Sequence, residues 1–437
     1  MYSILLLKSK FYIYVKQCSI VIVIISYKFC FYNVLRKVKL SMKIVGIISE
    51  YNPFHLGHLH QINCIRKFFP NEKVLIVTIM SGNFIQRGEP SIVDKFKRCE
   101  MSLSCGVDLC LELPVQFVLS SAEGFSQGAI KLLDKLGFID YLCFGCENPD
   151  IKKLNEISEF LLSMDKNVLK KYSDLGVSFP NARSLAIQEN FKDSSISNFI
   201  KSSNNILGIE YVKALKILNS KIKILPIERV GSNYNDCNLD NKFSSATSIR
   251  NFLTNSNEIS ILENHLPSSS YEILKNEFIN GSLTTKSKMF DYIKYKLLTI
   301  GKIENIEDVN EGLENKFYKE ISNSNSLEEL ILNVKSKRYT YTRLSRILTK
   351  YFIGFENFDK DKIKSFHNYV RILGFNSQGL KLLNSTKKIS SLTLISKFNK
   401  SNSRLAPLDI LSTKAYSMLN NNVLSYSDFT NPPLIKK

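Results

Sequence analysis

Two histidines set the first chemistry open to this sequence. His55-Leu56-Gly57-His58 follows Lys43–Glu50, an apolar, β-branched run of strand length. Asn52 and Pro53 break that run, since proline cannot continue a central strand. The histidines then open a predicted helix that continues through Ile65. A helix start after a strand is an anion site, because its first N–H groups lack intrahelical acceptors and the dipole is positive there. Imidazoles beside those donors would contact phosphate oxygens and stabilise charge developing on them. Gly57 would let the ligand approach the backbone closely. Alone, the motif fits two surface histidines as well; its place directly after a buried strand favours the anion site.

A second cluster lies far downstream, at Ser244, Ser245, Ala246, Thr247, Ser248, Ile249 and Arg250. Hydroxyls at a helix start are ordinary N-caps. Paired with the histidines, Ser245 and Ser248 become candidates for phosphate binding, and Arg250 for neutralising a leaving pyrophosphate. A third cluster is the polar loop Ser81–Ser91 with Asp94, Lys95 and Arg98, whose Gln86, Arg87 and Glu89 stand where a strand end meets a crevice. A surface hairpin is the plainer reading of it. The fourth is basic and aromatic: Lys335, Lys337, Arg338, Arg343, Arg346 and Lys350, interleaved with Tyr339, Tyr341 and Tyr351. Cations neutralise phosphates and aromatic rings stack on unpaired bases. A solvated amphipathic helix has the same pattern.

These clusters need a scaffold, and the sequence supplies an alternating one. Further strands are predicted at Lys73–Met80, Asp108–Leu113, Tyr141–Gly145 and Lys221–Ile227. Helices are predicted at Asp94–Ser104, Ala122–Leu136, Asn204–Leu218 and Ser244–Leu253, with two or three more in Ile151–Asn190. Strands alternating with helices predict an α/β domain with a parallel sheet, which binds ligands beyond the strand C-termini. A polar loop is expected at Gly231–Lys242. Beyond about Asn255 strand signals fade, and Tyr271–Lys437 reads as mainly α-helical. The expected organisation is therefore a 42–255 nucleotide-binding domain and a 265–437 helical, basic region.

The formal net charge of +19 points to an anionic partner, nucleic acid or an acidic membrane surface. Residues 331–437 carry about +14 of it. Residues 1–41 hold Lys and Arg but no acid, and their apolar core, Ser19–Ser26, is about a third of a membrane span. The expectation is that folding starts at Met42 and that the preceding stretch is a mis-called start, with a membrane anchor as the minor alternative. Nine scattered cysteines fit a reducing cytoplasm, and Cys143-x-x-Cys146 has no second pair at zinc spacing. No metal site is assigned, although Mg²⁺ usually accompanies a triphosphate.

His-x-Gly-His after a first strand resembles the signature of the nucleotidylyltransferase superfamily, whose fold is Rossmann-like. The segments EYNPFHLGHL, SGNFIQRGEPSIVDK, GVDLCLELP, FGCEN, NNILG and SSATSIR, in that order, resemble the tRNA(Met) cytidine acetate ligase family. The resemblance is dense from Met42 to Leu253 and thinner through KSKRYTYTRLSRIL and LGFNSQG. It implies an enzyme that forms acetyl-adenylate from ATP and acetate, then acetylates N4 of the wobble cytidine of elongator tRNA(Met). No membrane is expected as a partner. Carried over by position, His55 and His58 would be catalytic. ATP would contact Ile48, Ser49, Glu50, Tyr51, Asn52, Pro53, Phe54, His55, Leu56, Gly57, His58, Leu59, His60 and Gln61. Gly145, Asn204 (with Asn205 a near alternative), Arg229, Ser245, Ser248 and Arg250 complete that set, and Lys337, Arg338, Arg343 and Arg346 would meet the tRNA. The family commonly has Asn where this chain has Leu56. Two other readings remain open: a small-molecule adenylyltransferase of the pantetheine-phosphate or nicotinamide-mononucleotide kind, and a non-catalytic RNA-binding protein.

Overall fold

A computed structural model describes residues 42–174, 176–229, 243–256, 258–364 and 368–437. The expectations for residues 1–41 and for the loop Gly231–Lys242 lie outside the described residues.

The first half alternates as its sequence predicts: β1 (Met42–Ser49), α1 (Leu56–Phe68), β2 (Lys73–Ser81), a hairpin of β3 (Phe84–Ile85) and β4 (Glu89–Pro90), α2 (Lys95–Ser104), β5 (Leu109–Leu113), the short α3 (Val115–Val118), α4 (Ala122–Leu136) and β6 (Tyr141–Cys146). Four helices, α5 (Ile151–Ser163), α6 (Lys166–Ser173), α7 (Phe179–Phe191) and α8 (Ser194–Phe199), precede α9 (Ser203–Ile217), β7 (Lys223–Glu228) and α10 (Ala246–Asn255). The helical region holds α11 (Ser268–Ile279), α12 (Phe290–Thr299), α13 (Leu313–Glu320), α14 (Leu327–Val334), α15 (Tyr341–Ile353) and α16 (Lys360–Lys364).

The chain then returns to the sheet, which the sequence reading did not anticipate. β8 (Tyr369–Asn376) pairs antiparallel with β5, and β9 (Thr393–Ile395) and β10 (Leu434–Lys436) pair with β8. Between β8 and β10 lie α17 (Ser377–Ile389), α18 (Pro407–Ser417) and α19 (Ser427–Thr430). Arg371 hid β8: a charge in an apolar run argues against a buried strand, yet Arg371 is buried against Asp428 at 3.4 Å. The sheet runs β10-β8-β5-β2-β1-β6-β7, parallel from β5 through β7.

Val77, Ile79, Leu111 and Leu133 fill one face of the sheet, and Val45, Ile47, Ile62 and Met80 the other. Cys143 packs on the second face and Cys146 on the first, so the C-x-x-C pair is split by the sheet. A third core joins the helical region, and Phe84 of the hairpin is inserted into it with Ile347 and Tyr351. Burying one such ring contributes roughly 1.5–3 kcal/mol. The hairpin is thus anchored to the helical region, not loose on the surface.

Candidate active site

β1 and β2 run in full parallel register, so their C-termini end side by side. Arg98, from α2, ties those ends together. It donates to the carbonyls of Glu50 at 2.5 Å and Ser81 at 3.1 Å, and also to that of Gly82. Lys95 and Arg98 are both buried, so these two members of the third cluster shape the site from below and do not face ligand.

His55 is the N-cap of α1 and forms a reciprocal box with His58. The Gly57 N–H donates to His55 Nδ1 at 3.0 Å, and the His55 N–H donates to His58 Nδ1 at 3.2 Å. Each Nδ1 therefore accepts, which puts the proton of each neutral ring on Nε2. Burial, with Arg229 and Arg250, pushes His55 down to about 3. Burial, His55 and Arg229 push His58 well below its ordinary value. The rings sit 3.8 Å apart, centroid to centroid, as two neutral donors.

This arrangement changes two expectations. The first-turn N–H groups of α1 are not waiting for an anion: Leu56 donates to the His265 carbonyl at 3.4 Å, Gly57 to the His55 ring, and His58 to the His55 carbonyl. The space beside Gly57 belongs to the His55 imidazole, which a Cβ there would meet at 2.8 Å. The donors left to a phosphate are the two Nε2–H groups and the start of α10.

α10 is brought to the same cavity. Ser245 caps it, accepting from the Ser248 N–H at 3.0 Å. The Ser248 hydroxyl turns back to the Ser245 carbonyl at 2.8 Å, away from the cavity. Arg250 donates to the Asn52 carbonyl at 2.8 Å, across 198 positions of sequence. Asn52 in turn accepts from the Ile92 N–H at 2.7 Å. The histidine cluster, the SSATSIR cluster and the hairpin thus meet at one turn.

On the other side of β1, Gly145, Asn204 and Arg229 line the same cavity. A Cβ on Gly145 would lie 3.2 Å from Arg229 Cγ, so the glycine makes room for that side chain. Asn204 donates to Glu147 at 2.7 Å. Asn205 is buried beneath, accepting from the N–H groups of Glu147 and Asn148, and does not line the cavity. Within Ile48–Gln61, the residues Pro53, Phe54, Leu56 and Leu59 also lie outside the cavity wall. Phe54 and Leu59 pack into the core under α1. The apolar side of the cavity, including Phe125, Phe144, Leu207 and Tyr211, was missed in the sequence. Its members come from three separate elements, and nothing local marks them apart from core residues.

The basic cluster is placed less openly than its composition suggests. Lys337 and Arg338 are exposed, with Arg338 paired to Glu311 at 2.9 Å. Arg343 donates to the Asp308 carbonyl at 3.0 Å and lies 4.7 Å over the Tyr339 ring. Arg346 is largely enclosed, and its Nε has no hydrogen-bond partner. The expected stacking aromatics are engaged inside the fold: Tyr339 and Tyr351 are buried, and Tyr341 bonds Glu328 at 2.5 Å.

The family profile HIGH Nucleotidyl Transferase matches residues 42–429. A tRNA(Met) cytidine acetate ligase of Clostridium novyi (strain NT) is 50% identical over 402 residues, covering 91% of this chain and 100% of that protein. One from Clostridium botulinum (strain Okra / Type B1) is 44% identical over 407 residues, covering 91% and 99%. The chain belongs to the tRNA(Met) cytidine acetate ligase family. Among solved structures, Thermotoga maritima TmcAL bound with alpha-thio ATP superposes with a TM-score of 0.81 at 31% identity, covering 90% of this chain and 99% of that one. The apo form of the same protein gives 0.83. Family membership agrees with the α/β sheet followed by a helical region and with ATP as substrate. Among the described residues, no helix is long and apolar enough to cross a membrane.

Proposed function

We propose that this chain is an ATP-dependent ligase that joins acetate to N4 of the wobble cytidine of elongator tRNA(Met), giving N4-acetylcytidine. The observation that carries the reading is the Arg250–Asn52 contact, which closes the SSATSIR helix onto the turn that presents His55 and His58. In the first step an acetate oxygen attacks the α-phosphorus of ATP, the bond to the β-phosphate breaks, and pyrophosphate leaves. Both partners are anions, so the site must supply donors and positive charge, not a strong base. His55 and His58 supply Nε2–H donors to the phosphates, and the start of α10 with Arg250 receives the leaving pyrophosphate. Gly145, Asn204 and Arg229 hold the nucleoside. A triphosphate usually travels with Mg²⁺, which would come as the ion of the nucleotide.

In the second step the cytidine amine attacks the acetyl carbonyl, AMP leaves, and the nitrogen loses one proton. An anticodon-loop base is unstacked more cheaply than one in a duplex, which suits a wobble cytidine. Lys337, Arg338, Arg343 and Arg346 contact the tRNA backbone. Such an enzyme works in the cytoplasm beside its tRNA.

The test is mass analysis of elongator tRNA(Met) after incubation with the protein, ATP and acetate. A gain of one acetyl group at the wobble cytidine, with acetate-dependent ATP–pyrophosphate exchange before tRNA is added, is the expected result. Adenylation of pantetheine phosphate or nicotinamide mononucleotide in its place overturns it, as does tRNA binding with no ATP turnover.

A further inference from the structure

The cavity extends to both sides of β1. One arm reaches β6 and β7, where Gly145, Asn204 and Arg229 stand. The other reaches toward β2, under the hairpin, where Glu50, Gln86 and Arg87 form the wall. An ATP that fills the first arm and lays its phosphates at β1 leaves the second arm for the other reactant.

The second arm is rigidly built. The Gln86 N–H donates to Glu50 Oε1 at 2.7 Å, and Gln86 Nε2 donates to the Ser120 carbonyl at 3.3 Å. On the far side of Arg87, the Gly88 carbonyl accepts from Ser345 and Thr349, each at 2.7 Å. Arg87 is therefore carried between two pinned residues. Burial raises Glu50 above the usual carboxylate range, against the pull of Arg250, Arg87 and Arg98. Arg87 and Arg250 both line the cavity beside this one carboxylate, so the wall carries a net positive charge and favours an anion.

The apolar side of the cavity borders this arm through Phe125. Ser121, next to the Ser120 that Gln86 holds, caps α4, and Phe125 lies in the first turn beyond it. Ile48 packs against the core that contains Phe125, and both line the cavity. A cation in this arm and two apolar side chains at its border match a molecule with a carboxylate at one end and a short alkyl group at the other.

We infer that this arm is the acyl-acid subsite, with Arg87 holding the carboxylate and Phe125 with Ile48 enclosing the alkyl end and limiting its length. The assignment rests on the reading of the chain as an acid-activating ligase and adds which residues choose the acid. A cytosine base is the competing occupant, and it would need a donor–acceptor pair where Phe125 and Ile48 present carbon.

ATP–pyrophosphate exchange with acetate, propionate and butyrate tests it on the full chain, comparing wild type with Arg87→Ala, Arg87→Lys, Phe125→Ala and Phe125→Leu. Arg87→Ala should raise the KM for acetate about 30-fold or more, with the KM for ATP moving less than about threefold, and Arg87→Lys should recover part of the loss. Phe125→Ala should shift kcat/KM toward propionate over acetate by about tenfold, the usual worth of one methylene. If Phe125→Ala fails to fold, the smaller change Phe125→Leu carries the chain-length test. Equal losses of acetate and ATP affinity in Arg87→Ala, or unchanged acid preference in both folded Phe125 variants, overturn the subsite. Loss of tRNA acetylation with normal acid-dependent exchange in Arg87→Ala also overturns it and gives the arm to the base. Absence of exchange with any acid in wild type would instead sink the ligase reading itself.

Discussion

Thr349 donates its hydroxyl to the carbonyl of Gly88 at 2.7 Å. That bond fastens helix α15, which carries Arg343 and Arg346, to the hairpin that walls the cavity. Ser345 makes the same bond to the same oxygen, and both hydroxyls are buried. Gly88 has φ +78°, and a Cβ there would lie 2.4 Å from the Arg346 backbone nitrogen. Main chain cannot swing away as a flexible side chain would. Gly88→Ala should therefore cost about 1–3 kcal/mol from overpacking alone, with left-handed strain added. It should also slow adenylate formation, because the hairpin carrying Gln86 is displaced. Thr349→Ala should cost about 1 kcal/mol, and Thr349→Ser should restore it. Thermal unfolding beside ATP–pyrophosphate exchange checks both, and a neutral Gly88→Ala would show that the helix does not fix the hairpin.

His55 and His58 give the free protein a specific acid sensitivity. A histidine free in the unfolded chain titrates near 6.5, whereas the folded His55 takes a proton only at about 3. Between those values the unfolded chain binds more protons. Stability is thus fully present above about pH 6.5 and is lost as the pH falls toward 3. The slope is about 1.4 kcal/mol per pH unit for each buried histidine. Urea midpoints at pH 7.5 and 5.0 should differ more in wild type than in a His55→Ala/His58→Ala double variant. Identical pH dependence would mean the rings are charged in the folded state. In catalysis, His58→Ala should raise the barrier to adenylate formation by about 2–4 kcal/mol, the scale of one lost transition-state donor. A wild-type exchange rate would remove His58 from the mechanism.

How far the sequence exposed this site follows from what each residue's neighbours are. The β1–α1 unit was legible because strand, break and helix signals are local and consecutive, and the SSATSIR cap was legible for the same reason. Their meeting was not, since the Arg250–Asn52 bond spans 198 positions and only the sheet order brings it about. The role of Gly57 was misread for a similar reason: the sequence shows a missing side chain, not that the His55 ring fills the space. The aromatic residues beside the basic cluster failed the other way. Tyr339 and Tyr351 sit among cations in sequence, but the helical period turns Tyr351 inward, and Tyr339 is buried in the bend just before that helix. β8 was invisible because its charge, Arg371, is satisfied by Asp428 from 57 residues further along.

Arg346 and Arg343 should separate when each is replaced by alanine. Both face Asp308 electrostatically, but Arg343 also donates to its carbonyl and covers Tyr339. The Nε of each lacks a hydrogen-bond partner, but burial lowers the pKa of Arg346, so folding carries a desolvation cost there that Asp308 offsets only in part. Arg346→Ala should leave the melting temperature unchanged or higher, whereas Arg343→Ala should lower it. On tRNA the order reverses: Arg346→Ala should weaken binding and reduce the salt slope by about 1, as for one lost phosphate contact. Filter binding across a salt series, beside thermal unfolding, reads both. A destabilised Arg346→Ala with unchanged tRNA affinity would make Arg346 structural.

Lys95 tests whether the C-terminal segment is integral to the catalytic domain. Its Nζ lies 2.9 Å from Glu112 on β5 and 2.8 Å from Asp428 in α19, and all three side chains are buried. Arg371 of β8 reaches the same Asp428 at 3.4 Å. Burial alone would raise the Asp428 pKa, yet Lys95 and Arg371 hold it below the ordinary value. Lys95→Met keeps the stem's volume but leaves Glu112 and Asp428 facing each other across one remaining guanidinium. Removing one member of a buried ion network costs about 3–5 kcal/mol, against about 0–1 for an exposed pair. Urea unfolding of Lys95→Met should show the larger loss as a single transition, because the sheet and the C-terminal strands share the cluster. A separate early transition confined to the C-terminal segment would show that it docks on the sheet without being part of its fold.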